Sequence, residues 1–156
     1  MRSSLLLRTT ETTEEQKEGN EIKKLRVAAS IIFRDGCLFA ARRAYSPYPY
    51  LIHKFEFPGG KIEAGETPSQ CVTRELIEEM DWTVSPIKEF PPYFHKYPDF
   101  EIALYPVLCL AEGNPVNKEH EELVWLSIPM LNPNSWAPAD AELLAQLKEH
   151  PRTFME

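Results

Sequence analysis

The chain has 156 residues, of which 43% are hydrophobic and 26% charged, and its formal net charge is −7 at pH 7. This length allows one domain with a sizeable core, and the composition is typical of a globular protein rather than a disordered one. The negative charge argues against binding of nucleic-acid polymers, and no apolar run reaches the ~20 residues that span a membrane. The three cysteines, Cys37, Cys71 and Cys109, form no CxxC pair, which favours a reducing cytoplasm over a disulfide framework or a thiolate zinc site.

Residues 1–24 are polar and aperiodic, and we interpret them as an N-terminal arm, mobile or a short helix, outside a single domain of residues 25–156. From Leu25 the run LRVAASIIF predicts a buried strand that ends at a turn at residues 34–36, followed by its hairpin partner at residues 37–41. Residues 44–54 form a loop with three tyrosines and two prolines. This loop is either a wall of a substrate site or a packed surface loop.

A helix is predicted at about residues 67–80. Thr67 is expected to be the N-cap, with Pro68 in the first helical position and Gln70 completing a capping box. Val72, Leu76 and Met80 recur at i, i+4 and i+8 and supply the stripe that is buried. We expect the helix to pack on that side and to present charge on the other.

Short strands are predicted at residues 55–57, 82–84, 93–97, 101–110 and 122–128, with a turn at Pro98-Asp99 between the third and fourth of them. A C-terminal amphipathic helix is predicted at about residues 141–149, with Leu143, Leu144 and Leu147 facing inward. Mixed strands with one central and one terminal helix imply an α/β sandwich.

Three glutamates on the first predicted helix, Glu75, Glu78 and Glu79, are spaced i, i+3, i+4. At ~100° per residue they share an arc of roughly 100°, where like charges repel one another. Oxygen ligands on one rigid face suit Mg²⁺ or Mn²⁺. The pattern therefore indicates a divalent-cation site.

Residues 60–82, GKIEAGETPSQCVTRELIEEMDW, resemble the Nudix box, Gx5Ex7REUxEExGU with U apolar. The positions that match in register are Gly60, Glu66, Arg74, Glu75, Leu76, Glu78, Glu79 and Trp82. Asp81 stands where the family usually has glycine; because Asp tolerates left-handed geometry, we expect a modest stability cost and intact chemistry. The resemblance covers about residues 25–150 and implies the Nudix α/β/α sandwich with a mixed β-sheet.

The segment EFPGGKIEAGETP is similar to the MutT branch, whose members hydrolyse nucleoside triphosphates to the monophosphate and pyrophosphate. The resemblance implies that Mg²⁺, for which Mn²⁺ can substitute, is bound by a set of carboxylates and a backbone carbonyl. That set is Glu75, Glu78, Glu79 and Glu119, with Gly59 or Gly60 supplying the carbonyl. Arg74 is expected to orient the glutamates, Glu66 to brace the loop, and Glu75 or else Glu119 to act as the base. Glu119 also fits an ordinary exposed loop position.

Asp140, in the segment APAD, matches the position where MutT-like enzymes carry an asparagine that reads the base, and the pattern EHEELVW followed by APAD looks closest to the CTP pyrophosphohydrolase group. An acceptor there suits the amino group of cytosine, or N1–H and the amino group of guanine, oxidised guanine included. Asp140 equally resembles an N-cap of the last helix. Arg43 and Phe57 match base-contacting positions, although a surface Arg and a core Phe are the ordinary interpretations. Phe100 lies near the position where MutT has an arginine close to the substrate, and this departure argues against strict specificity for oxidised guanine.

These observations together predict a Mg²⁺-dependent nucleoside triphosphate pyrophosphohydrolase, a monomer or homodimer, acting on CTP, dCTP or a modified nucleotide such as 8-oxo-dGTP. One alternative is a Nudix domain that senses nucleotides without catalysis, although such domains usually lose box carboxylates that are all present here. Another is a hydrolase of ADP-ribose, a dinucleoside polyphosphate or an isoprenoid diphosphate. Pro98 lies near the proline of ADP-ribose members, but its setting predicts a hairpin turn.

Overall fold

The computed structural model describes residues 22–155, so most of the predicted arm at residues 1–24 lies outside the described residues. The strands are β1 Lys23–Arg34, β2 Cys37–Arg42, β3 Phe55–Glu56, β4 Gly59–Lys61, β5 Val84–Glu89, β6 Tyr93–Lys96, β7 Phe100–Ala111 and β8 Glu122–Ser127. The helices are α1 Pro68–Met80, α2 Pro138–Glu149 and α3 Pro151–Met155, with short 3-10 turns at Pro49–Leu51, Ile128–Met130 and Pro133–Ser135. No helix within residues 22–155 is long and apolar enough to cross a bilayer.

The sheet is built around its two long strands, β1 and β7, which run parallel from the pair Lys23↔Phe100 to the pair Ile32↔Cys109. The strand order is β3-β2-β1-β7-β5; β4 pairs with β1, β6 with β7 and β8 with β2. All pairings other than β1 with β7 are antiparallel. The sheet is therefore mixed, as predicted.

Both faces of the sheet are covered. Along β1, Val27, Ala29 and Ile31 enter one core cluster, with the leucines of α2. Ala28 and Ile32 enter the other, with the apolar stripe of α1. This alternation follows from the two-residue period of a strand, and it confirms the α/β/α sandwich.

Strand β4 was not predicted, because Pro58-Gly59-Gly60 suggests a chain break. The structure pairs Gly59 with Ala29 and Gly60 with Ala28 on β1. A Cβ at Gly59 would lie 1.9 Å from the carbonyl oxygen of Ala28. Glycine is needed there for close backbone approach, which local sequence patterns do not reveal.

Two other boundaries differ from the predicted ones. The strand expected at residues 82–84 is instead β5, which contains Pro86; an edge strand tolerates this proline, and the register shifts between Pro86 and Lys88. Helix α2 begins at Pro138 with Ala137 as its N-cap, whereas it was expected at about residue 141. Asp140 is therefore the third helical residue, and the N-cap role considered for it is wrong.

Candidate functional site

Helix α1 begins and ends where its sequence signals lie. The Thr67 side chain accepts from the Gln70 N–H at 3.1 Å, and the Gln70 side chain accepts from the Thr67 N–H at 2.9 Å. Pro68 occupies the first turn, and Asp81 closes the helix in the left-handed conformation at φ 51° and ψ 39°. The capping box and the left-handed Asp81 are both confirmed.

Two of the three glutamates on α1 are buried. Glu75 is 0% exposed and Glu79 is 3% exposed, whereas the side chain of Glu78 is 41% exposed. The expectation that the helix presents all its charge away from the packed side is therefore wrong. Strand β4 packs on this side of the helix, and carboxylates buried in this way are costly unless cations compensate them.

Strand β4 approaches Glu75 so closely that a side chain at position 60 would displace the Glu75 carboxylate. A Cβ on Gly60 would lie 2.5 Å from the carboxyl carbon of Glu75 and 2.7 Å from its Oε2. The Gly60 carbonyl also accepts from the Cys71 thiol at 3.3 Å. The glycine pair and Glu75, which were predicted to serve one site, are therefore adjacent.

Arg74 holds together carboxylates from the loop before α1 and from α1 itself. Its Nε donates to Glu66 Oε2 at 2.6 Å and its Nη2 donates to Glu66 Oε1 at 2.9 Å, which is a bidentate pair. Its Nη1 donates to Glu75 Oε2 at 2.8 Å and lies 3.6 Å from Glu78 Oε1. The hydrogen bonds that Arg74 donates to Glu66 raise the pKa of Arg74 above its already high ordinary value. Glu66 also accepts from the Glu63 N–H at 2.9 Å, so it braces the loop.

The donor chemistry here fits a hard divalent cation. Carboxylate and carbonyl oxygens are the ligands such ions take, and because Gly60 has no side chain, its backbone approaches the Glu75 carboxylate. In the part of the chain that the structure describes, no three His, Cys, Asp or Glu side chains already converge on one point. Mg²⁺ takes one or two protein carboxylates and completes its shell with water and substrate phosphate, so two glutamates on one helix are compatible with such an ion.

Glu119 lies in the loop of residues 112–121 between β7 and β8. The loop is attached to the end of α1, because the Val116 N–H donates to the Met80 carbonyl at 2.8 Å and Lys118 Nζ donates to Asp81 Oδ1 at 2.8 Å. The negative charges of Glu79 and Glu119 both act on the neighbouring ring of His120. The loop therefore brings Glu119 to the same side of the fold as the carboxylates of α1.

A narrow cleft adjoins the glycine pair. It is lined by Val27, Arg43, Glu56, Phe57, Gly59, Gly60, Ile102, Leu104 and Asp140. The three residues predicted to contact substrate, Arg43, Phe57 and Asp140, therefore share one cleft. Glu56 was not predicted; its only sequence signal is that a carboxylate stands between two phenylalanines in a short strand.

Asp140 is buried at the wall of the cleft. Its Oδ2 accepts from the Phe57 backbone N–H at 2.9 Å, which leaves Oδ1 for any further contact. Burial, together with the nearby charge of Glu56, raises the pKa of Asp140 to about 8. This shift favours the protonated carboxyl group near neutral pH, so that Asp140 is able to donate a hydrogen bond as well as to accept one.

A buried chain of charges runs from Arg43 through Glu56 to His120. Arg43 Nη2 donates to Glu56 Oε1 at 2.7 Å, and His120 Nε2 lies 3.7 Å from Glu56 Oε2. Burial raises the pKa of Glu56, but the charge of Arg43 and the contacts from His120 outweigh it, so the pKa lies below its ordinary value. Burial lowers the pKa of His120, but the hydrogen bond and the negative charge of Glu56 raise it by more. The pKa of His120 therefore lies above its ordinary value. Glu56 thus keeps its negative charge beside Arg43, with His120 next to its other oxygen.

The aromatic residues near the cleft mainly pack the core. Phe57 is 4% exposed and its ring lies 4.8 Å from that of Trp136. The tyrosine-rich loop stacks inward as well: Tyr48 lies 5.3 Å from Phe100 and Tyr50 lies 5.1 Å from Tyr97, measured between ring centroids. These tyrosines do not line the cleft, which favours a packed loop over a substrate wall.

Comparison with known proteins agrees with this architecture. The NUDIX domain profile matches residues 23–147. The 8-oxo-dGTP diphosphatase of Escherichia coli strain K12 is 40% identical over 129 residues, which is 81% of this chain and 98% of that protein. The CTP pyrophosphohydrolase of the same strain is 34% identical over 136 residues, covering 79% of this chain and 90% of that protein. The solution structure of the E. coli ORF135 protein matches with a TM-score of 0.70 at 28% identity, over 86% of this chain and 99% of that one.

Proposed function

The chain belongs to the NUDIX domain family, and on that premise we propose that it hydrolyses nucleoside triphosphates to the monophosphate and pyrophosphate. Its close relatives are an 8-oxo-dGTP diphosphatase and a CTP pyrophosphohydrolase. We propose that its own substrates are nucleotides of the CTP or dCTP type, or modified nucleotides such as 8-oxo-dGTP.

One observation carries this proposal: a single cleft is lined by the glycine pair together with Arg43 and Asp140. We assign the glycine pair, which adjoins the buried carboxylate of Glu75, to the cation end, because it suits a cation with its phosphates. We assign Arg43 and Asp140 to the nucleobase end, because a guanidinium and a carboxyl group suit the polar edge of a base.

The residues proposed to hold the divalent cation are Glu75, Glu78, Glu79 and Glu119, with a carbonyl of Gly59 or Gly60. Mg²⁺ suits this oxygen-only set, and Mn²⁺ is expected to substitute. When bound, the cation neutralises phosphate charge and lowers the pKa of a coordinated water. Arg74 keeps Glu75 in place through the hydrogen bond at 2.8 Å.

In the proposed reaction, the oxygen of a water molecule forms a bond to the β-phosphorus, as the family resemblance implies. The bond between that phosphorus and the oxygen bridging to the α-phosphate breaks, and the electron pair leaves with the nucleoside monophosphate. A glutamate accepts the proton of the attacking water. Glu75 is the first candidate for this base and Glu119 the second.

Base selection is assigned to Asp140, with Arg43 and Phe57 beside it. Because Asp140 Oδ2 already accepts from the Phe57 N–H, Oδ1 meets the base. Since the pKa of Asp140 is raised to about 8, a protonated Oδ1 donates at neutral pH to an acceptor, such as cytosine N3 or guanine O6. Above that pKa the same oxygen accepts, for example from an exocyclic amino group.

The test is a substrate panel with purified protein and Mg²⁺: CTP, dCTP, 5-methyl-dCTP, 8-oxo-dGTP, the normal dNTPs and ADP-ribose, at pH 6.5 and pH 9. We expect pyrophosphate release from a cytosine or oxidised-guanine nucleotide, with relative base preference that changes between the two pH values. Release of orthophosphate alone, or ADP-ribose as the best substrate, would contradict the proposed reaction. Equal rates of hydrolysis for nucleotides of all the bases would refute the role of Asp140.

A further inference from the structure

The loop of residues 112–121 is anchored on both sides of Glu119. Before Glu119, Lys118 Nζ donates to Asp81 Oδ1 at 2.8 Å and to the Glu78 carbonyl at 3.3 Å. After it, the Glu121 N–H donates to the Arg42 carbonyl at 2.9 Å. These contacts set the path of the backbone through Glu119.

Two histidine contacts involve the second half of the loop, and they differ in burial: His53 contacts Glu121, and His120, itself a loop residue, contacts Glu56. His53 Nδ1 lies 2.6 Å from Glu121 Oε1, with 64% of the His53 side chain exposed. His120 Nε2 lies 3.7 Å from Glu56 Oε2, with only 5% of the His120 side chain exposed. Exposed ion pairs contribute little, because water and salt screen them. A buried contact in a low-dielectric setting holds its partners more firmly.

Glu56 is itself rigidly held, because its other oxygen accepts from Arg43 at 2.7 Å and it pairs with β2 as part of β3. It also lines the cleft. His120 therefore connects the loop to a fixed point in the wall of the cleft, one residue after Glu119.

We propose that His120 is a positioning residue for Glu119: its contact with Glu56 holds the loop so that the Glu119 carboxylate is presented to the divalent cation. This inference rests on the proposed cation site. It gives Glu56 a second role, because the carboxylate at the nucleobase end of the cleft also sets the geometry of the cation end. It predicts that loss of His120 acts only through Glu119.

The first measurement is the affinity for Mn²⁺ alone, without nucleotide, followed by the electron paramagnetic resonance signal of free Mn²⁺. His120→Ala is expected to weaken binding about 10- to 100-fold, the range found when a residue that orients a metal ligand is removed. His53→Ala is the matched control, since it removes the exposed contact to the next residue of the same loop; it is expected to bind as the native protein does. Equal effects of the two substitutions would contradict the proposal.

The second measurement repeats His120→Ala in a Glu119→Gln background. If His120 acts through Glu119, the double variant binds Mn²⁺ as weakly as Glu119→Gln alone, so the two effects are not additive. Fully additive losses would show that His120 acts on the site independently, and would overturn the inference. His120→Gln, which keeps a polar group within reach of Glu56, is expected to recover part of the affinity.

A merely structural role is separated by unfolding in urea and by kinetics. Reduced stability of His120→Ala with native Mn²⁺ affinity would overturn the proposal. With the nucleotide identified by the panel, the variant is expected to need more Mg²⁺ for half-maximal rate while its KM for nucleotide stays near native. If no nucleotide is hydrolysed, the proposed function fails, but the Mn²⁺ measurements still decide this inference.

Discussion

The proposed cation end and the proposed nucleobase end of the cleft both concentrate carboxylates. The protein groups that compensate this negative charge differ between them. At the cation end, Glu75 and Glu79 are buried on one helix, and Arg74 bonds to Glu75 and Glu66 together. At the nucleobase end, Glu56 lies between Arg43 and His120, and Asp140 has a raised pKa of about 8. A buried carboxylate that is paired as Glu56 is, or whose pKa is raised as that of Asp140 is, serves structure and recognition without an added ion. Several carboxylates that lie close together on one helix suit an added cation.

The largest effect is expected from removing the charge that compensates Glu56. Arg43→Met leaves Glu56 buried beside His120, and this should lower the free energy of unfolding by about 3–5 kcal/mol. The adjacent Arg42 supplies the control, because its pair with Glu122 is partly exposed at 2.7 Å. Arg42→Met should cost about 1 kcal/mol or less. Urea unfolding of both variants tests this, and similar losses would remove the distinction between the two ends.

Next in size is the loss of a carboxylate from the cation end. Glu79→Gln should lower kcat with Mg²⁺ by about 100- to 1000-fold, the scale for removing one preorganised group that stabilises developing charge. The fold should survive, because glutamine has the same shape and no buried charge. Glu112→Gln, an exposed glutamate in the loop before Glu119, should keep native turnover. Near-native activity of Glu79→Gln would contradict the assignment of Glu79 as a cation ligand.

A smaller effect concerns the proton on Asp140. Its pKa is about 8 in the folded protein against an ordinary value of 3.8, so between these values the folded state holds a proton that the unfolded state has lost. The free energy of unfolding therefore falls as the pH rises from about 4 to about 8. Asp140→Asn lacks this dependence, and relative to native it should gain at least about 1 kcal/mol between pH 5 and pH 8. Urea unfolding at several pH values measures the difference, and parallel curves would show that Asp140 is ionised.

The smallest effect is expected at Asp81, which has φ 51° where a glycine is free of strain. Asp81→Gly relieves about 1 kcal/mol of left-handed strain. It also removes the exposed pair with Lys118 at 2.8 Å, which contributes a similar or smaller amount. We expect a net stabilisation below about 1 kcal/mol and unchanged turnover. Thermal unfolding measures this, and a marked loss of activity would show that the Lys118 contact is also needed to hold the Glu119 loop.

Much of the cation end was predictable because it is local. The capping box, the helix of residues 68–80 and the spacing of its glutamates all follow from short-range rules. The burial of Glu75 and Glu79 did not follow, because it depends on strand β4, whose glycines suggest a chain break. The nucleobase end was only partly predictable: Arg43, Phe57 and Asp140 came from resemblance, while Glu56 and His120 were missed. Their contact joins a strand to a distant loop, and no local pattern encodes it.

The sequence by itself determined the family, the sandwich of helices around a mixed sheet, and the row of carboxylates on α1, because periodicity and capping act over a few residues. Only the tertiary structure decided which carboxylates are buried, which of them lie beside Arg43 or Arg74, and that Asp140 lies within α2 with a raised pKa rather than capping the helix. Those properties depend on the dielectric surroundings and charges that packing brings together from distant parts of the chain. The chemistry of the cation end could therefore be predicted from helix α1, whereas recognition at the nucleobase end depends on the tertiary fold.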